Sequence, residues 1–93
     1  MAPSTSSTTG SVSVGSTSTT ILSADSDRKF AVIVNDSDET VYLSLTATAL
    51  MNQGIRINAN GGWYEINSTN LYTGIITGIC SSGSKVVTYS EGK

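Results

Sequence analysis

The side chains Asp25, Asp27, Asp36, Asp38, Glu39 and Glu65 are groups in this chain that could carry acid–base chemistry. Two carboxylates share such work when the environment keeps one protonated and the other ionised. Five of these six lie among small polar residues in turn-like segments, where turn formation and solvation account for them. The chain has no histidine, which removes the ordinary Ser-His and Cys-His nucleophile pairs. Asn35-Asp36-Ser37-Asp38-Glu39 offers oxygen ligands of the kind calcium takes, but the spacing is not that of an EF-hand loop. Cys80 is the only cysteine, so there is no intrachain disulfide and no zinc set of ordinary type. It sits in an apolar run and reads as a small buried hydrophobe. The inventory predicts no catalytic residues, no metal, no cofactor and no small-molecule substrate.

Aromatic residues offer a different chemistry. Trp63, Tyr64 and Tyr72 are candidates for a sugar-stacking platform, which makes a carbohydrate-binding module the alternative function. On one strand, however, Trp63 and Tyr64 point to opposite faces. One of them belongs to the core and the other to a surface or interface. Asn35-Asp36-Ser37 and Asn67-Ser68-Thr69 match the glycosylation acceptor pattern, which has meaning only in a secreted protein.

The elements that must position these residues are strands. In Arg28–Leu45, Phe30, Val32 and Val34 alternate with Ala31, Ile33 and Asn35, and Val41, Leu43 and Leu45 alternate with Tyr42 and Ser44. The two runs flank a polar segment, 35–40, and predict a central β-hairpin whose first strand is covered on both faces. Ile55–Asn58 and Trp63–Ile66 flank Ala59-Asn60-Gly61-Gly62 and predict a second hairpin. Further strands are expected at 17–23, 74–80 and 85–89, with a short one at 11–14 and a frayed end at 90–93. Thr46–Gly54 is the only stretch with helical potential, and it is too short for more than a turn or a structured loop. The predicted core is Phe30, Val32, Val34, Leu43, Ile57, Ile66, Ile76 and Val87.

Seven or eight short strands at this spacing predict an all-β sandwich or barrel. With 93 residues the chain forms one domain, and a domain of that size is marginal without external support. Serine and threonine supply 29 of the 93 residues. Residues 1–14 read as a flexible Ser/Thr-rich arm ahead of a β-domain over 15–93, since the arm cannot bury enough apolar surface to order itself. An uncharged arm can still add as a strand to a neighbour. The net charge of -2 argues against nucleic acid as a partner, and no apolar run approaches a membrane span. The N-terminus lacks the charge and apolar core of a signal peptide, so synthesis inside a cell is expected.

Three segments in succession carry a resemblance: RKFAVIVNDSDETVYLSL (28–45), GIRINANGGWYEI (54–66) and NLYTGIITGICSSGSKVV (70–87). Together they resemble the small structural proteins of tailed bacteriophages, in the class of head decoration or cement proteins. The most specific part is GIRINANGGWYEI followed by NLYTG. The resemblance implies a compact β-sandwich or jelly roll, a homotrimer, and a place on the phage head, bound to the major capsid protein. A tail or neck component is the neighbouring alternative. With that family in view, the candidate partner interface is Ser11, Val12, Ser13 and Val14 of the arm together with Trp63 and Tyr72.

Overall fold

The computed structural model describes residues 3–93. They form eight strands: β1 (Ser7–Val14), β2 (Thr19–Leu22), β3 (Phe30–Asn35), β4 (Val41–Ser44), β5 (Ile55–Ile57), β6 (Trp63–Ile66), β7 (Ile76–Ile79) and β8 (Lys85–Gly92). Every pairing is antiparallel. The strand order is β1-β8-β3-β6 in a first sheet and β2-β7-β4-β5 in a second. Two such sheets around one shared core make an eight-stranded jelly-roll sandwich.

Both expected hairpins are absent as hairpins. β3 belongs to the first sheet and β4 to the second, while β5 belongs to the second and β6 to the first. The polar segments 36–40 and 58–62 therefore carry the chain across the roughly 10 Å between sheets. Period-two alternation identifies a strand but not its neighbour, and a five-residue polar connection serves a sheet-to-sheet corner as well as a hairpin. The turn itself is as read. Asn60 and Gly61 both adopt positive φ, at 61° and 107°. Asn60 N–H donates to the Ser37 carbonyl at 2.7 Å and Gly61 N–H to the Asn35 carbonyl at 2.8 Å, so the two corners are tied together.

Leu43, Ile57, Ile66, Ile76 and Val87 are buried as expected. Phe30, Val32 and Val34 are not the inward set of β3; Ala31, Ile33 and Asn35 are. With apolar side chains on both faces, hydrophobicity supplies no phase for this strand. Asn35 supplies it. Its buried Nδ2 donates to the carbonyls of Glu39 at 2.7 Å, Ile57 at 3.1 Å and Asn58 at 3.2 Å. Turned outward, Asn35 would leave these carbonyls without that donor. The core also takes in Val14, Ile21, Leu22, Ala31, Ile33, Val41 and Cys80.

The flexible arm is corrected over most of its length. Ser7–Val14 pairs with β8 residue for residue, from Ser7↔Gly92 to Val14↔Lys85. Before it, Thr5 N–H donates to the Lys93 carbonyl at 2.9 Å and Lys93 N–H to the Ser6 carbonyl at 2.9 Å. Met1 and Ala2 lie outside the described residues. The frayed end is corrected with it, because Ser90–Gly92 completes β8. Each segment looks unstructured alone and is the other's partner. An edge strand needs hydrogen bonds on one side only, so a Ser/Thr tract with a single fully buried side chain, Val14, suffices.

The stretch 46–54 is a structured loop rather than a helix. Thr77 Oγ1 donates to the Thr46 carbonyl at 3.0 Å, and Ala49 N–H donates to Ser18 Oγ at 2.8 Å, so the loop lies along the second sheet. It ends at Gly54, where φ is +87° and any Cβ would collide with the Leu43 carbonyl oxygen.

Candidate interaction surface

The first sheet turns one face to the core and the other outward, and its register lays the outward residues in rows. Trp63, Val34, Thr88 and Ser11 stand side by side across β6, β3, β8 and β1. The next row is Glu65, Val32, Ser90 and Thr9, and the one after it runs Phe30, Gly92 and Ser7. Val86 pairs with Ser13 at the far end. Glu65 is the only charged residue among these. Trp63 is 63% exposed and Val86 40%. Gly92 carries no side chain because the Phe30 ring lies where a Cβ would be.

The six candidate interface residues separate. Ser11, Ser13 and Trp63 share this outward face, and Ser11 and Trp63 stand in one row. Val12 faces inward opposite Val87 and is half-buried, and Val14 is fully buried. Tyr72 packs against the core with its hydroxyl 2.8 Å from both the Leu45 and Ile75 carbonyls. Its role is to pin two loops. Trp63 and Tyr64 point to opposite faces, Tyr64 against the core, so these residues form no common stacking platform. The residues missed on the outward face are Phe30, Val32, Val34 and Val86. The alternation of β3 carries this signal, since its even-numbered residues Phe30, Val32 and Val34 form one apolar row on the face away from the core.

Three of the six carboxylates singled out for chemistry tie separate segments together. Glu39 accepts from Ser81 Oγ at 2.7 Å, Ser82 N–H at 2.9 Å and Ser82 Oγ at 2.7 Å. The hydroxyls of Ser82 and Ser81, with the Ser82 N–H, lower its pKa to about 2. Asp38 pairs with Lys85 at 2.7 Å, which lowers the aspartate pKa and raises that of the lysine. Lys93 pairs with Asp25 at 2.6 Å, with the same opposite shifts. Burial raises the Cys80 thiol, with the Glu39 charge adding to it. That environment suits an inert thiol rather than a nucleophile.

Among the described residues, no three His, Cys, Asp or Glu side chains gather as metal ligands. No helix of the described chain is long and apolar enough to cross a membrane. A cleft of about 480 Å³ lies beside Ser26–Lys29, Leu71 and Lys93. Its two lysines have partners: Lys29 Nζ donates to the Pro3 carbonyl at 3.2 Å, and Lys93 pairs with Asp25. Arg28 is held from within by four hydrogen bonds.

Fold and surface together define a small jelly-roll domain whose accessible chemistry lies on a sheet face and at sheet edges. No family model, curated protein or solved structure matches the chain.

Proposed function

We propose that this domain is a non-catalytic structural protein of a phage virion, a decoration or cement protein that binds the major capsid protein lattice and stabilises the head. The observation that carries the reading is the outward face of the first sheet. It presents Trp63 beside Val34, with Val32, Phe30 and Val86 near them, Ser/Thr hydroxyls around them and one charge, Glu65. Exposed tryptophan next to aliphatic side chains on a face poor in charge is the composition of a protein-binding surface. The sequence resemblance implies the major capsid protein as the partner of that surface.

The experiment is co-purification with phage heads assembled from a major capsid protein. Wild-type protein is expected to travel with the heads in a fixed ratio to coat protein. Trp63→Ser is expected to remain folded and to lose retention by roughly thirtyfold or more, the range of an aromatic anchor. Retention should change little with salt, because the face has so little charge to screen. Wild-type protein left entirely in the soluble fraction would remove the capsid reading.

A further inference from the structure

A β-sandwich with two open sheets has four edge strands, and each edge is a row of unpaired N–H and C=O groups. Here the edges are β1 and β6 in the first sheet and β2 and β5 in the second. Three are blunted. β5 has three residues and carries Arg56 at its centre. β2 has four residues, and its register shifts between Thr20 and Leu22. β6 has four residues and carries Glu65. β1 is different. It runs for eight residues, STTGSVSV, with no charge, no proline and an unbroken register against β8.

The pairing of β1 fixes which of its groups are free. Ser6 and Lys93 exchange backbone hydrogen bonds, so by antiparallel alternation the even residues of β1 point their backbone groups at β8. The odd residues Ser7, Thr9, Ser11 and Ser13 point theirs away from the sheet. Val12, half-buried, lies between them on the inward face.

We propose that β1 is a self-association edge that makes a twofold dimer in place of the homotrimer the resemblance implies: β1 of a second copy pairs with it antiparallel, joining two four-stranded sheets into one of eight. The occupant follows from self-complementarity. In a twofold antiparallel pairing each edge meets its own sequence, so a charge near the middle of a short edge meets its like. Glu65 and Arg56 impose that repulsion on β6 and β5, and β1 imposes none. Ser/Thr side chains facing one another across strands are favourable neighbours. The second copy would also cover Val12. The proposal does not depend on what the outward face binds.

The test is sedimentation equilibrium of the purified protein over a wide concentration range. A monomer–dimer equilibrium is expected. Ser11→Lys and Ser11→Glu each place like charges near the dimer axis without touching the β8 ladder, and each should weaken the dimer by roughly tenfold or more. An equimolar mixture of the two variants should recover a dimer, because opposite charges then face each other. Ala47→Lys, in an exposed loop on the other sheet, is the charge-matched control and should dimerise as wild type does. A monomer at all concentrations, a trimer, or a dimer indifferent to both Ser11 variants would overturn the proposal. The co-purification experiment does not use these readouts, so either idea can fail alone.

Discussion

Arg28 Nε donates to Glu91 Oε2 at 2.7 Å, and the guanidinium that makes this bond has no exposed side-chain surface. The remaining donors are directed at backbone: Nη1 to the Tyr72 and Gly74 carbonyls, each at 3.0 Å, and Nη2 to the Ser23 carbonyl at 2.8 Å. One side chain thus joins the β2–β3 and β6–β7 connections to β8. Arg28→Ala would leave Glu91 and three carbonyls without these donors. It should cost about 3–5 kcal/mol, the range for removing one partner of a buried pair. Arg28→Lys should restore only part of it, since an ammonium lacks the planar fork. Urea melts of both variants decide this, and a loss below 1 kcal/mol for Arg28→Ala would mean that the network contributes little.

The orientation of β3 is tested by two neighbours. Ile33 is fully buried and Val32 lies half-exposed on the opposite face. Ile33→Ala should lose roughly 2–5 kcal/mol, and Val32→Ala well under half of that. Equal losses would mean that the outward face is covered in the isolated protein.

Acid should loosen the end of the sandwich that carries the 36–40 and 80–84 loops. Glu39 has its pKa lowered from 4.5 to about 2 in the folded protein. A depressed carboxylate contributes stability that is fully present above its unfolded value and is lost as pH falls through its folded value. The window is therefore from pH 4.5 down to about 2. Glu39→Gln should be less stable than wild type at neutral pH, and the difference should shrink across that window. A constant difference down to pH 2 would show that the carboxylate charge is not what Ser81 and Ser82 recognise.

Gly54 should not tolerate a side chain. Its positive φ and the carbonyl of Leu43 in the Cβ position both oppose substitution. Gly54→Ala should cost more than about 1 kcal/mol, by strain and by displacement of the β4–β5 connection. A melting temperature unchanged by Gly54→Ala would place the Leu43 carbonyl elsewhere.

Sequence and fold agree on where most strands and turns lie, but not on which strands pair. Alternation located β4, β5 and β6 to within a residue or so, and the Asn60-Gly61 turn follows from residue type alone. Less was legible where the deciding contact is distant. Thr8 is separated from its partner Glu91 by nearly the whole chain, so neither end looks ordered by itself. Asn35, read as part of a polar loop, sets the phase of β3 through carbonyls beyond residue 38. Arg28, a charge beside a turn, gave no sign of burial, because its partners come from residues 72, 74 and 91. The candidate surface inherits these limits: Trp63 is on it, while Val34 beside it was assigned to the core.

The strand order also bears on how the chain can fold. β8 is the last strand and lies between β1 and β3, so it is the only link that holds β1 to the first sheet. Of the seven connections, only β4–β5 joins strands that are neighbours in a sheet. Local hairpins therefore cannot nucleate most of the structure, and loop closure over long separations must precede its reward. Folding should be slow for a domain of this size, in the millisecond-to-second range of non-local β topologies. During synthesis β1 emerges first and must remain unpaired until residues 85–92 have left the ribosome. For that interval its uncharged edge is open on both sides.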